Sequence, residues 1–138
     1  MSTKGYLLDT NAVSELRRPL RLTKLDDLIK NQPLGSLYIS VLTVGELRKG
    51  FVKLQRKEEI RSANLASWID GVISFYGERI LPVNMQIAMQ WAQISAVRTL
   101  PTIDTLLAAT AIVHDLTLVT RNTKDFTDTG VKILNPWT

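Results

Sequence analysis

Five short, mostly apolar segments alternate with helical patterns along the chain, and this alternation constrains the fold more than any other feature. The segments are predicted to be strands at 5–9, 37–41, 79–83, 117–120 and 131–134. Continuous apolar runs of this length are typical of buried parallel strands. Strands that alternate with helices are joined by right-handed crossovers, which leave helices on both faces of the sheet. The predicted fold class is therefore α/β, a three-layer α/β/α sandwich with a parallel, five-stranded sheet.

Two predicted helices carry clear amphipathic patterns. In the first, apolar side chains recur at steps of three and four and share one face. They are Leu65, Trp68, Ile69, Val72, Ile73 and Tyr76. In the second, Ile87, Trp91 and Ile94 repeat the pattern together with the small Ala88 and Ala92. Both stripes are interpreted as core, and a cofactor role for the tryptophans is not favoured.

The length of 138 residues, 45% of them apolar, is enough for one domain that buries about two thirds of its unfolded surface. Pro19, Pro33 and Pro101 are interpreted as loop residues between elements, because no linker, repeat or low-complexity segment accompanies them. We expect a single domain that spans residues 1–138.

The chain contains no cysteine, so disulfides, thiolate metal ligands and a cysteine nucleophile are excluded. Any metal must be bound by oxygen atoms or by the single His114, which is more simply interpreted as a residue at the end of a helix. The longest apolar run, 106–113, is broken by Thr110 and is far shorter than the roughly 20 residues that span a bilayer. The first residues lack the long apolar stretch of a signal peptide, so we expect a cytoplasmic protein that does not contact membranes.

Three carboxylates, Asp9, Glu46 and Asp104, are far apart in sequence, yet each is predicted where a strand or loop gives way to a helix. The carboxyl ends of parallel strands converge on one ligand crevice. A hard cation such as Mg²⁺ prefers carboxylate oxygens and keeps several waters, so a few acids at strand ends suffice to bind it. Such a site can activate a water, orient a phosphodiester and neutralise the leaving oxygen.

Each acid also has a structural alternative. Glu46 would complete a capping box with Thr43, Asp104 would interact with the dipole of the helix that follows, and Asp9 would cap the next helix. Taken alone, each acid is more often structural than catalytic. The conjunction of three such acids favours the metal site.

Five segments, taken in order and spacing, resemble the PIN-domain ribonucleases, and more narrowly the VapC-type toxins of prokaryotic toxin–antitoxin pairs. The segments are LLDTN (7–11), ISVLTVGEL (39–47), IDTLLAATA (103–111), LVTRNTKDF (118–126) and NPW (135–137). Each motif is weak alone, but together they cover the whole chain. The resemblance implies a PIN-like fold and a toxin that is a metal-dependent endoribonuclease, hydrolysing RNA through a metal-activated water.

The resemblance also implies roles for particular residues. Asp9, Glu46 and Asp104 would be the catalytic acids that bind Mg²⁺ or Mn²⁺, with Asp9 and Asp104 as the direct ligands. Asn11 and Thr120 would orient the carboxylates. Many family members have a fourth acid where this chain has Asn122, and Asp125 is the other acid of that loop that could supply the charge.

The implied partners are an RNA substrate, a cognate antitoxin and a second copy of the chain in a homodimer. Because Asn122 brings no charge, an alternative function is that of an RNA-binding PIN domain with little or no catalysis. A phosphoryl-transfer domain of the receiver type is disfavoured, since its third strand would need a phosphoacceptor Asp where this chain has Pro82, Val83 and Asn84.

Basic residues outnumber acidic ones by 17 to 13, which gives a net charge of +4 and favours a polyanionic partner. The helix that carries Glu46 also presents candidate RNA-binding residues on a shared face. They are Lys49, Lys53, Arg56 and Lys57. A solvated helix face is the simpler interpretation of this pattern, and an RNA-backbone track is the hypothesis beside it. Arg17, Arg18 and Arg21 form a second basic cluster near the first loop.

Overall fold

The computed structural model describes residues 5–19 and 22–137, so Arg21 of the predicted basic cluster lies outside the described residues. The strands are β1 (Tyr6–Leu8), β2 (Leu37–Ser40), β3 (Ile80–Leu81), β4 (Thr117–Val119) and β5 (Lys132–Leu134). The helices are α1 (Thr10–Glu15), α2 (Thr23–Lys30), α3 (Val41–Gln55), α4 (Glu59–Tyr76), α5 (Met85–Val97) and α6 (Thr102–Val113). Short 3₁₀ turns occupy Leu34–Ser36, Gly77–Arg79 and Thr123–Phe126.

The five strands form one sheet in the order β3-β2-β1-β4-β5, and every neighbouring pair is parallel. This confirms the predicted α/β class and the five parallel strands. The chain builds β2 and β3 on one side of β1 and then returns to build β4 and β5 on the other side. The order therefore reverses between β1 and β4, and ligand crevices of open α/β sheets lie at such switch points, beyond the carboxyl ends of the strands.

Two hydrophobic cores lie on opposite faces of the sheet. One core contains side chains of α5 and α6 packed against Leu7 and Leu118, and the other contains side chains of α1 to α4 packed against Leu8 and Val119. Consecutive residues of β1 thus face different cores, as the alternation of side chains along a strand requires. The three-layer arrangement follows directly from this alternation.

The two predicted apolar stripes are mostly in the core. Ile69, Val72 and Tyr76 of α4 are buried, as are Ile87 and Ile94 of α5. The exceptions are the exposed Ile73 of α4 and the exposed Ala88 and Ala92 of α5. For these three residues the core prediction is wrong, because each helix buries a narrower face than the three-and-four pattern suggests.

Each observed strand is shorter than predicted by one to three residues, and two of the boundaries that differ have a clear physical reason. Helix α3 begins at Val41 rather than at Thr43, since Ser40 is its N-cap and the Ser40 Oγ accepts a hydrogen bond of 3.0 Å from the Leu42 amide. Serine is among the best N-cap residues, so the helix starts as soon as β2 ends. Strand β3 has two residues rather than the predicted five, because Pro82 has no amide to donate to the ladder.

Helix α6 is buried along most of its length and ends at the exposed His114, which is its C-cap. This position agrees with the interpretation of His114 as a helix-terminal residue. Among the helices of the described ranges, none has the length and apolar character needed to cross a bilayer.

Candidate active site

The end of β1 positions Asp9 in the switch-point crevice. Asp9 is 7% exposed, and it is the N-cap of α1, where its Oδ1 accepts a hydrogen bond of 2.8 Å from the Ala12 amide. The side chain of Thr120, which follows β4, also hydrogen-bonds to this carboxylate. The structural alternative for Asp9 is therefore correct, and it is compatible with the predicted site, because a cap bond fixes one oxygen and orients the other.

Glu46 lies in the second turn of α3, and not at the junction of a strand and a helix. The capping-box alternative is wrong, because Thr43 lies inside the helix and the Glu46 carboxylate instead accepts a hydrogen bond from the Thr10 hydroxyl. Thr10 Oγ1 is also 3.2 Å from Thr43 Oγ1. Since the single proton of Thr10 goes to the carboxylate, the Thr43 hydroxyl is the donor in that second contact.

Asp104 is half-buried in the first turn of α6, as the helix-dipole alternative predicts. The N-cap of this helix is Pro101, which has no side-chain donor or acceptor. Negative charge is favoured at a helix N-terminus, so the helix stabilises the ionised Asp104 without occupying it with a cap bond.

The three acids interact electrostatically, and this is the main evidence that the fold gathers them. Burial raises the pKa of Asp9, the Ala12 and Thr120 hydrogen bonds lower it, and the charges of Asp104 and Glu46 raise it further. Burial also raises the pKa of Asp104, with additional contributions from Glu46 and Asp125. The three acids are therefore within electrostatic reach of one another, and a cation between them would relieve the repulsion.

The donor set suits a hard divalent cation. All the acids offer oxygen, and no thiolate or imidazole is near them. Within residues 5–19 and 22–137, however, no group of three acidic or histidine side chains is already drawn close enough to enclose a metal. The two observations are consistent, because Mg²⁺ needs only one or two carboxylates beside its waters.

The predicted auxiliary residues occupy different environments. Thr120 is buried, and its Oγ1 accepts a hydrogen bond of 3.1 Å from the Asn122 amide in addition to contacting Asp9. Asp125 is half-buried in the 3₁₀ turn and lies near enough to raise the pKa of Asp104. Asn122 and Asn11 are exposed. The structure thus groups Thr120 and Asp125 with the acids, whereas Asn11 and Asn122 border the crevice.

The candidate RNA-binding residues are all exposed. Lys49 and Lys53 follow Glu46 by three and seven residues and so lie on its face of α3, while Arg56 and Lys57 continue past the helix end. Of the second basic cluster, Arg17 and Arg18 line a cavity of about 380 Å³ that reaches Thr10, Glu46 and Trp68. Exposed basic residues therefore accompany Glu46 both along α3 and in the cavity that it lines.

Sequence reasoning did not identify Thr10 as a functional residue. The only available signal was its position directly after Asp9 at the start of a helix, where threonine is usually interpreted as a residue of a turn or cap. Its bond to Glu46 spans 36 residues of sequence and depends on the packing of α1 against α3.

The parallel five-stranded sheet, with interacting acids beyond the ends of its strands, defines an α/β protein of the PIN-like class. The model of the PIN domain matches residues 6–132, and the chain belongs to this family. Within the family, its full-length relatives near 30% identity include toxins of the VapC and FitB type.

Two relatives illustrate the match. The chain is 33% identical over 138 residues to the toxin FitB of Neisseria gonorrhoeae, with 95% of this chain and 97% of the relative covered. It is 30% identical over 137 residues to the VapC ribonuclease Y4jK of Sinorhizobium fredii, with 95% and 96% covered.

Solved structures agree with the sequence relatives. The crystal structure of FitAcB from Neisseria gonorrhoeae has a TM-score of 0.86 at 32% identity, and covers 96% of this chain and 98% of that one. A toxin–antitoxin complex from Klebsiella pneumoniae has a TM-score of 0.69 at 26% identity, and the same shares are covered.

Proposed function

We propose that this protein is the endoribonuclease toxin of a toxin–antitoxin pair and that it hydrolyses RNA with the help of Mg²⁺ or Mn²⁺. The observation that carries the proposal is that burial raises the pKa values of Asp9 and Asp104 and that the charge of Glu46 raises both further, an effect that a bound cation would offset. The relatives named as a toxin and as a VapC ribonuclease support the same activity.

Asp9 and Asp104 are the proposed direct ligands, and Glu46 is the third acid of the site. When bound, the cation would polarise the scissile phosphodiester and lower the pKa of the attacking water. The cap bond from Ala12 and the bond to Thr120 hold the Asp9 carboxylate in one orientation. The hydrogen bond from Thr10 orients the Glu46 carboxylate in the same way. Because these carboxylates are already ordered, little conformational entropy is lost when the cation binds.

The RNA backbone has a proposed path beside the acids. Lys49 and Lys53 lie on the face of α3 that carries Glu46, and phosphate contacts of this type give affinity without sequence preference. Arg17 and Arg18 flank the other side of Glu46 across the cavity that they line.

An antitoxin is the proposed protein partner. The complex from Klebsiella pneumoniae is a toxin–antitoxin assembly, and this chain has a surface suited to a similar partner. An apolar cavity of about 410 Å³ lies among α1, α2 and α4, where its lining includes Val13, Ile29 and the half-exposed Phe75. A short apolar segment of an antitoxin would bury this lining, and the adjoining cavity leads from Trp68 to Glu46.

Cleavage by the purified protein tests the proposal. Structured and unstructured RNAs would be incubated with Mg²⁺, with Mn²⁺ or with EDTA, and the 5′ ends of the fragments would be sequenced. We expect cleavage with either cation and none in EDTA. Asp104→Asn should abolish it, whereas Asp70→Asn, the same change at an exposed residue of α4, should not.

The same experiment distinguishes the proposed ribonuclease from the alternative function. If the parent protein binds RNA but does not cleave it under single-turnover conditions with Mn²⁺, the chain is an RNA-binding PIN domain without useful catalysis. The uncharged Asn122 is the feature that motivates this alternative.

A further inference from the structure

A third cavity, of about 250 Å³, lies between α1 and the segment that follows β4. Its lining consists of Asn11, Ser14, Glu15, Arg18, Arg121 and Trp137. Asn11 follows Asp9 by two residues, and Arg121 comes directly after Thr120, whose side chain hydrogen-bonds to Asp9. Two residues of the lining are therefore close in sequence to Asp9 or to Thr120, which hydrogen-bonds to the Asp9 carboxylate.

Trp137 is held in this cavity by a chain of hydrogen bonds. Its amide donates to Asn135 Oδ1 at 2.8 Å, and the Asn135 amide group donates to the Arg121 carbonyl at 3.5 Å. The preceding residues of the two segments are also linked, since the Thr120 amide donates a hydrogen bond of 3.0 Å to the Leu134 carbonyl. The ring is half-buried against the core beneath β1 and β4, and the residue also lines the cavity.

The charged side chains of the cavity favour an anion. Glu15 is already engaged, since its Oε2 accepts a hydrogen bond of 3.0 Å from the Leu22 amide and its Oε1 lies 3.4 Å from Arg18. The Arg18 side chain is 70% exposed, so this pair contributes little to stability and the guanidinium stays accessible to solvent. Arg121 is exposed, and no acid of the described ranges forms an ion pair with it.

We propose that this cavity is a nucleotide subsite, in which one unstacked RNA base lies on the indole of Trp137 while Arg121 binds the adjacent phosphate. Proteins read single-stranded RNA by stacking bases on aromatic rings and on guanidinium planes. The exposed amide of Asn11 can both donate and accept, which suits the edge of a base. The inference rests on the proposed ribonuclease function and extends it to the nucleotide that lies beside the scissile phosphate.

Binding in EDTA tests the subsite without catalysis. The full chain would be titrated into labelled single-stranded RNA and followed by fluorescence anisotropy. We expect Trp137→Ala to weaken binding roughly 5- to 150-fold, the range that stacking of one base supplies, and Trp137→Phe to restore most of the affinity. Trp91→Phe is the matched control, because Trp91 packs in the opposite core and donates to Thr105.

An abasic scan of the oligonucleotide distinguishes stacking from a structural role of Trp137. One abasic position should weaken binding by the parent and should cost nothing in Trp137→Ala. If Trp137→Ala does not fold by circular dichroism, Arg121→Ala answers the question, with Arg98→Ala as its control. Unchanged affinity of both Trp137→Ala and Arg121→Ala, or equal abasic penalties in parent and variant, would overturn the proposal.

The outcomes also separate the subsite from the proposed function. A parent that shows the position-dependent abasic penalty but never cleaves RNA would retain the subsite and lose the ribonuclease. A parent that cleaves RNA while Trp137→Ala binds it equally well would retain the ribonuclease and lose the subsite. If Trp137→Ala weakens only the association with a co-purified antitoxin, the cavity belongs to the protein partner and the proposal is wrong.

Discussion

The hydroxyl of Thr10 donates a hydrogen bond to the carboxylate of Glu46, which links the first residue of α1 to the second turn of α3. Thr10 follows Asp9, so the turn that leaves β1 positions two acids, one directly and one through this bond. The Thr43 hydroxyl completes the contact from inside α3, at 3.2 Å from Thr10 Oγ1. A side chain without charge thereby fixes the relative position of Asp9 and Glu46.

Replacing Thr10 by valine should weaken metal-dependent cleavage, because valine has the shape of threonine but cannot donate to Glu46. Losses of supporting hydrogen bonds at metal sites commonly cost about 10- to 100-fold in affinity or activity. The Mg²⁺ concentration at half-maximal cleavage should rise accordingly. Thr10→Ser retains the hydroxyl and should behave like the parent, and equal midpoints for the valine and serine variants would count against the role of this bond.

Asp104→Asn should abolish cleavage while leaving the fold intact. The substitution keeps the size of the side chain and removes a direct ligand, so the loss of rate should exceed about 100-fold. Purified variant and parent would be compared in Mg²⁺ and Mn²⁺. Cleavage at the parental rate would disprove the three-acid site, and the same holds for Asp9→Asn, in which asparagine still caps α1.

The metal-free stability of Asp104→Asn should depend on pH in a particular direction. The pKa of Asp104 is raised above its ordinary value in the folded protein, so the folded state binds more protons than the unfolded state between those two pKa values. The stability of the parent therefore falls as the pH rises through this window, and the asparagine variant does not share the loss. In EDTA the variant should have the higher Tm near pH 7 and no advantage below the ordinary pKa of aspartate.

A cation should reverse this order. Ligands that bind only the folded state stabilise it by mass action, so millimolar Mn²⁺ should raise the Tm of the parent and leave that of Asp104→Asn almost unchanged. This measurement reports on metal binding without any RNA. An equal rise in both proteins would place the cation elsewhere.

Much of the fold was predictable because apolar runs and helical periodicity are local signals. All five strands and the helices with Ile69 and Ile87 were anticipated from them, and so was the convergence of Asp9 and Asp104 near one sheet edge. The start of α3 was not predictable, because Ser40 and Thr43 are both acceptable N-cap residues and only the position where β2 ends decides between them. The Thr10 bond and the position of Trp137 depend on which elements pack together, and a single sequence does not encode that in any short pattern.

The salt dependence of RNA binding should identify the backbone track on α3. Each phosphate contact to single-stranded nucleic acid contributes about 0.7 to the slope of log K against log salt. Lys49→Ala combined with Lys53→Ala should therefore lower the slope by about 1.4. Lys30 and Lys132 are paired with Asp26 and Asp115 away from α3, so their double alanine variant is the control, and an equal change there would indicate a non-specific effect of charge.

An exposed apolar stripe on α5 predicts a homodimer. Met85 and Met89 are 76% and 65% exposed, and the exposed Ala92 and Ala96 continue the stripe at helical spacing. Methionine is enriched at protein interfaces relative to the rest of the surface. Light scattering at about 10–50 µM should give a dimer, in the range of common dissociation constants. Met89→Glu should give a monomer, whereas Ile60→Glu, at another exposed apolar residue, should not; a monomeric parent would refute the dimer.

The last prediction concerns the loop that carries Asn122 and Asp125. Asp125 is half-buried, and its charge contributes to the raised pKa of Asp104, so this acid lies within electrostatic reach of the site. Asn122 is exposed at the start of the 3₁₀ turn, where it has no charge to offer. In this chain Asp125 is therefore the acid of the loop that we expect to strengthen cation binding, directly or through water.

Two substitutions test this expectation in opposite directions. Asn122→Asp adds a negative charge at the rim and should lower the Mg²⁺ concentration needed for half-maximal cleavage. Asp125→Asn removes the charge near Asp104 and should raise that concentration without unfolding the protein, while Asp128→Asn, at an exposed residue paired with Arg98, should leave it unchanged. Metal titrations of the three variants give the answer: unchanged midpoints for both Asn122→Asp and Asp125→Asn would mean that Asp9, Glu46 and Asp104 hold the ion without help from this loop.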